Sequence, residues 1–138
     1  MRSEHDLFHE LSYYTLFHPD PSFIHQHIVD AFAAQRADGI TKRIALTFAL
    51  VGLYLHLEKG YTGRRVQLAH MEMARKKRDW PAIELPDERG DVTVSDVLAA
   101  PRGAERDSMI DTWCASVWGA YKQSHAQIAS LARDMLET

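Results

Sequence analysis

Apolar residues recur at helical spacing along most of the chain, and proline or glycine separates the segments in which they do so. A capping-box pattern at Ser3 and Asp6 opens the first segment, and the stretch HPDP after Phe17 closes it. Its apolar residues are Leu7, Phe8, Leu11, Tyr14 and Leu16. This pattern predicts a first helix that runs to about Phe17.

Three further helices follow from the same kind of signal. Asp20 and Pro21 predict the start of a second helix that reaches about residue 37 and ends at Gly39. The third is predicted from Thr41 to a Glu-Lys-Gly end at 58–60, and it contains the longest apolar run, residues 44–57. That run is shorter than the roughly 18 residues a bilayer demands, which indicates a buried core helix. Thr62 is predicted to cap a fourth helix that extends to about residue 78.

The last third of the chain predicts a connection, a short element and one long helix. Residues 80–91 contain two prolines and a glycine, and the segment DVTVSDVLAAP indicates a short extended piece and a brief helix capped by Ser95. Residues 104–135 contain no proline and keep helical spacing throughout. The predicted fold is all-α: a single domain, residues 1–138, that forms a bundle of four to five helices with a long C-terminal helix.

Composition supports a compact soluble chain. The length of 138 residues suits one domain that buries a core without disulfides, and its shares of 46% apolar and 25% charged residues argue against disordered, collagen-like and membrane classes. Cys114 is the only cysteine, and the start of the chain lacks the apolar run of a signal peptide. We therefore expect a cytoplasmic protein with no membrane partner.

Charge is unevenly distributed although the formal net charge is only -3. Residues 42–78 hold nine Lys/Arg against two acids, and residues 79–138 hold eleven acids against five bases. The basic run ARKKR at 74–78 invites a nucleic-acid hypothesis. Because the chain is acidic overall and carries no recognisable nucleic-acid-binding motif, a solvated face or an intramolecular partner is favoured, and a homo-oligomer stays open.

Histidine and acid positions on the second and third helices supply the candidate chemistry. His25 and His27 lie about 160° apart around a helix, so they cannot ligate one ion while that segment is helical. Asp30 shares a face with both Gln26 and His27, and Gln35 lies within the apolar stripe, where its amide needs a partner. On the third helix Ala45, Ala49, Gly52 and His56 form a shallow groove that lets a neighbouring helix approach closely.

Four segments together resemble a family of small bacterial proteins whose function is unknown. They are HQHIVDAFAAQ at 25–35, GLYLHLEKG at 52–60, VTVSDVLAA at 92–100 and WCASVWGAYKQSHAQI at 113–128. The resemblance singles out His25, Gln26, Asp30, Gln35, Glu58, Trp113, Trp118 and His125, and it favours His25 over His27. Two departures are the missing CxxC segment, which would suit zinc, and Tyr121 in place of a tryptophan.

Two hypotheses of function remain open. In the first, an inward site acts on a small polar molecule; if the site holds no metal, His125 would be the general base and Asp30 the acid that orients it, and if it holds a metal, a bound water would be the nucleophile. Substrate contacts are then predicted for Gln26, Gln35, Trp118 and Tyr121; a divalent metal such as zinc would be held by His25, His27, His56 and Glu58. In the second, the same groups form a structural hydrogen-bond network in a non-enzymatic interaction module. A water-accessible cavity at these groups would favour the first hypothesis.

Overall fold

The computed structural model describes residues 2–17 and 20–136, and within these ranges the secondary structure is helical, with no strand. The helices are α1 (Glu4–Phe17), α2 (His25–Gln35), α3 (Arg43–Lys59), α4 (Gly63–Ala74), α5 (Val94–Ala99), α6 (Ala104–Ala120) and α7 (His125–Leu136). A 3-10 turn, Lys122–Ser124, joins α6 to α7. The predicted all-α class is therefore confirmed, whereas the predicted count of four to five helices is too low.

Local capping signals are where the sequence predicts them. Ser3 and Asp6 exchange hydrogen bonds between side chain and backbone N–H, at 3.0 and 3.1 Å, and so open α1. The Thr62 hydroxyl accepts the N–H of Arg65 at the start of α4. Gly60 ends α3 with φ 71°, a left-handed conformation that glycine adopts without strain. These signals depend only on residues a few positions apart, which explains their success.

The predicted long C-terminal helix is wrong, because it breaks at Tyr121. The Tyr121 side chain is buried, and its hydroxyl donates to the Ala34 carbonyl at 2.6 Å, so α2 fixes the end of α6. A continuous helix over residues 104–135 would be about 48 Å long, which exceeds the width of a small domain. The turn directs α7 back onto α3, where Ile128, Leu131, Ala132 and Met135 are buried.

Helix α2 begins later than Asp20-Pro21 predicts. The Asp20 carboxylate accepts the N–H groups of Ser22 and Ile24, and Phe23 has a left-handed φ of 58°, so residues 20–24 form a tight loop. This loop packs on the start of α4, where a Cβ on Gly63 would lie 1.7 Å from the Phe23 carbonyl oxygen. A side chain at position 63 would therefore displace the loop.

The short extended piece predicted near residue 92 includes Thr93, whose backbone is extended (φ -126°, ψ 172°) without forming a strand, but α5 is capped by Thr93 rather than by the predicted Ser95. Thr93 and Asp96 form a capping box in which the Asp96 carboxylate accepts the Thr93 N–H at 2.9 Å. A Ser95 cap would place the first turn two residues later than the structure has it.

The core lies around α3, which α2, α4, α6 and α7 all contact. Nine residues in the centre of α3 are buried, in line with the predicted core helix. Helices α2 and α3 run antiparallel, so that Asp30 faces Gly52 and His27, one turn earlier, faces His56, one turn later. None of the helices in the described ranges is long and apolar enough to cross a membrane.

Candidate acid/base cleft

A cleft of about 520 Å³ opens at the end of the α2–α3 pair, between α1, the 20–24 loop, the end of α3 and the start of α6. Most of the residues that line it carry polar side chains. The lining residues are Tyr14, Thr15, Asp20, Ser22, Ile24, His27, His56, Gly60, Tyr61, Thr62, Asp107 and Asp111. We call this space the acid/base cleft because two histidines and three carboxylates border it.

His27 and His56 lie face to face at the cleft. Their ring centroids are 3.5 Å apart and the ring planes are inclined by 18°. His56 Nε2 lies 2.8 Å from Asp111 Oδ1, and His56 Nδ1 lies 3.1 Å from the Tyr61 carbonyl oxygen. His27 is 4% exposed, and its Nδ1 is enclosed without a hydrogen-bond partner.

These contacts give the two rings opposite protonation states. The carboxylate and the carbonyl beside His56 only accept, so both of its ring nitrogens donate and the ring is an imidazolium. Burial by itself lowers the pKa of His56, but the bonds to Asp111 and Tyr61 outweigh it and raise that pKa. Burial and the charge of His56 lower the pKa of His27 to about 4, so His27 is neutral at pH 7.

Asp111 completes the pair from α6. The hydrogen bond from His56 lowers the pKa of the Asp111 carboxyl against the opposing effect of desolvation. The carboxylate is therefore charged at neutral pH, and its side chain is 59% exposed. One oxygen binds His56, and the remainder of the group lies open to the cleft and to water.

Asp30 lies behind the histidines in the protein interior. Its carboxyl is 2% exposed, accepts the Gln26 side-chain N–H at 3.1 Å through Oδ1, and has no partner at Oδ2. Burial raises the pKa of Asp30 well above its ordinary value, which favours the protonated carboxyl. A Cβ on Gly52 would lie 2.0 Å from Oδ2; the missing side chain there is what lets α2 approach α3. The close approach that the sequence predicts along Ala49, Gly52 and His56 is therefore present at Gly52.

Other predicted site residues, which do not themselves line the cleft, join helices in pairs. Gln35 donates to the carbonyls of Arg89 and Val92 and accepts Trp113 Nε1–H at 2.9 Å. Trp118 Nε1–H donates to Glu58 at 2.7 Å. His25 Nδ1 lies 2.9 Å from the Thr15 hydroxyl. Each bond ties two different helices, or a helix and a loop, together.

His125, the predicted general base, lies at the start of α7. Its Nε2 donates to the Trp118 carbonyl at 2.7 Å, and its ring stacks on the Trp118 indole with centroids 3.8 Å apart. Its partner is therefore the end of α6, and the cleft lining does not include it. The catalytic role of His125 stays a prediction.

The four predicted metal ligands fall into separate places: His27 with His56, His25 with Thr15, and Glu58 with Trp118. Among residues 2–17 and 20–136, no three His, Cys, Asp or Glu side chains are arranged so that they could hold a metal ion. The predicted substrate contacts are similarly dispersed, since Gln26 binds Asp30 and Tyr121 binds Ala34.

Sequence inspection missed Asp107, Asp111, Tyr14 and Tyr61. Asp107 and Asp111 are one turn apart, so a shared helix face was a usable signal. Tyr14 donates to Asp107 at 2.8 Å and accepts the Gly103 N–H at 3.0 Å. The partnership of His56 with Asp111 spans 55 residues, and no local pattern indicates it.

The basic run at 74–78 is partly engaged within the chain. Lys76 donates to the Met135 carbonyl and Arg78 pairs with Asp134 at 3.2 Å, both on α7. These contacts supply an intramolecular partner for part of the basic run.

The fold and the cleft thus define an all-α protein with a histidine–aspartate site at one end of its core helix pair. The model of the family described as "Family of unknown function (DUF5946)" matches residues 5–122, and the chain belongs to that family. The expected membership of a family of unknown function is confirmed. Neither a curated protein nor a solved structure matches the chain.

Proposed function

We propose that the acid/base cleft binds a small polar molecule and that His27 and His56 catalyse proton transfer on it. One observation carries the proposal: two stacked histidines border an open cleft, and one of them is bonded to a carboxylate and a carbonyl whereas the other has no partner at Nδ1. Titratable neighbours whose environments separate their pKa values are the usual arrangement of a catalytic acid and base.

His27 is the proton acceptor in this scheme. Its ring is neutral at pH 7, and its unpartnered Nδ1 leaves the tautomer unfixed, so the ring can accept or donate a hydrogen bond as the bound molecule requires. His56 supplies a fixed positive charge, which stabilises negative charge that develops on the molecule when it loses its proton. Asp111 is a positioning residue that keeps His56 protonated and oriented.

Turnover of a pooled set of small polar metabolites tests the proposal. Protein in ²H₂O is incubated with each pool, and NMR detects either loss of C–H signals or new products. Wild type and His125→Gln should convert the same compound, whereas His27→Gln and His56→Gln should not. Conversion that survives in His27→Gln and fails in His125→Gln would contradict the proposal and restore His125 as the base.

A second candidate, the non-enzymatic module, is favoured by the paired polar groups outside the cleft. Gln35 with Trp113, and Glu58 with Trp118, are satisfied within the protein and lock α6 to α2 and α3. We assign these pairs a structural role. The two candidates divide the polar residues between them, so that the same chain carries both a scaffold network and a chemical site.

A further inference from the structure

We propose that the molecule bound in the acid/base cleft carries a protonated amine, which Asp107 and Asp111 hold. This inference deepens the proposed function by naming the chemical class of its ligand. It follows from the charges and the hydrogen-bond acceptors of the residues that line the cleft.

The charge around the cleft is predominantly negative. Three carboxylates line it, from Asp20, Asp107 and Asp111, and His56 is its one lining cation in the described chain. Arg65, on α4, lies over the Tyr61 ring at 3.8 Å and does not line the cleft. Opposite charges attract at this range, so the excess of carboxylates favours a cation.

The three carboxylates differ in how far they are already used. Asp20 is engaged by the N–H groups of the 20–24 loop, which leaves it the weakest candidate to bind a ligand. Asp107 accepts only the Tyr14 hydroxyl through Oδ1 among the described hydrogen bonds. Asp111 uses Oδ1 for His56 and is largely exposed. Asp107 and Asp111 are one helical turn apart on α6 and so can hold one ammonium group together.

A second observation separates this arrangement from an ordinary acidic surface. His27 is 4% exposed and borders the cleft. Its Nδ1 is enclosed, whereas its Nε2 is not among the enclosed atoms and has no partner among the described hydrogen bonds, so Nε2 is the nitrogen that a molecule in the cleft can reach. A neutral imidazole next to carboxylates offers one more acceptor. A primary ammonium has three N–H donors, which matches acceptors on Asp107, Asp111 and His27.

The test uses three probes of equal chain length: butylammonium, 1-butanol and butyrate. Each is titrated into ¹⁵N-labelled full-length protein while the amide signals of Gly60, Tyr61 and Thr62 are followed. Butylammonium should shift these signals in a saturable way, and the neutral and anionic probes should bind about tenfold more weakly or worse.

Variants of Asp107 locate the effect. Asp107→Asn keeps an acceptor for Tyr14 but removes the charge, and it should weaken butylammonium binding about tenfold. Asp107→Glu should restore most of the affinity, and Asp79→Asn, a change at an exposed acid in the loop after α4, should leave it unaltered. Circular dichroism checks that each variant is folded.

Two outcomes overturn the inference. Butanol or butyrate that binds as well as the amine would remove the preference for a cation, and absence of amine shifts at the cleft would remove the site. The proposed function would survive either result if His27→Gln and His56→Gln still abolish turnover of another compound. If butylammonium does not bind at the cleft and the histidine variants also keep full turnover, both proposals are contradicted.

Discussion

The imidazole rings of His27 and His56 lie 3.5 Å apart and nearly parallel, and Asp111 holds one of them by a 2.8 Å hydrogen bond. Two cationic rings so close together would repel each other, so the protonation of one suppresses that of the other. Asp111 decides which ring is charged because it contacts His56 alone. The protonated His56 ring therefore lies directly against the neutral His27 ring, which can accept a proton.

Replacement of Asp111 by Asn should reveal this arrangement in the pH dependence of stability. The raised pKa of His56 stabilises the folded state below the unfolded value of about 6.5, and this stabilisation is lost as pH rises through the folded pKa. Asp111→Asn should therefore reduce the free energy of unfolding most near pH 5.5 and least at alkaline pH. Urea unfolding across pH 5.5–9 measures it. A loss that is constant with pH, or that grows with it, would assign Asp111 another role.

Gly52→Ala should destabilise the α2–α3 contact. The new Cβ would lie 2.0 Å from Asp30 Oδ2 and 2.6 Å from Cγ, and the enclosed carboxyl cannot swing into water. Overpacking of this kind costs about 1–3 kcal/mol, of which the better helix propensity of alanine returns up to about 1 kcal/mol.

Gly119→Ala is the matched control, because Gly119 is exposed in α6 and nothing lies within 4 Å of an added Cβ. That variant should be neutral or slightly more stable. In Gly52→Ala the His27–His56 stack should also loosen, so that the pKa of His27 moves toward its ordinary value. A stable Gly52→Ala protein with unchanged histidine titrations would show that the close approach is not needed.

Asp30→Asn should change how stability depends on pH. Native Asp30 keeps its proton above pH 3.8 whereas the unfolded chain releases it, so rising pH favours unfolding of the wild type until the folded pKa is reached. Asn does not titrate, so the stability of Asp30→Asn lacks this dependence on pH. The melting temperature of wild type minus that of Asp30→Asn should fall as pH rises above 3.8 toward the folded pKa of Asp30, which differential scanning calorimetry across this range measures. A difference that stays level would mean that Asp30 is ionised in the folded protein.

Gln35→Met should affect the scaffold and spare the cleft. It leaves Trp113 Nε1–H and two carbonyls without their partner, which costs about 1–3 kcal/mol. Gln127→Met, at an exposed position of α7, is the control and should cost little. Chemical unfolding gives the two energies, and NMR titration should find His27 and His56 unchanged. Altered histidine titrations in Gln35→Met would link the network to the site.

Local rules predicted much of the fold. The helix ends depend on contacts within a single turn, as at Ser3 with Asp6, at Thr62 and at Gly60. The apolar run of α3 is long enough for the sequence to indicate a buried helix. The break at Tyr121 was not predictable from spacing, because the apolar periodicity continues across it. Its cause is a hydrogen bond to Ala34, 87 residues away along the chain.

The candidate site was less accessible to sequence inspection than the fold. His27 and His56 were both recognised as candidates, but their stacking depends on the register of α2 against α3, which Asp30 and Gly52 set. The pairing of Asp111 with His56 depends on the packing of α6 beside the end of α3, which the sequence does not indicate. Contacts between distant segments, and not the residue types themselves, decide which histidine carries the charge.

NMR titration of the histidine Cε1–H signals in wild-type protein tests the central claim most directly, with His27→Gln and His56→Gln used to assign the two signals. We expect His56 to stay protonated above its ordinary pKa of 6.5 and His27 to remain neutral down to a pKa of about 4. Two histidines that titrate together near 6.5, or a His27 that carries the charge while His56 is neutral, would contradict the acid/base cleft.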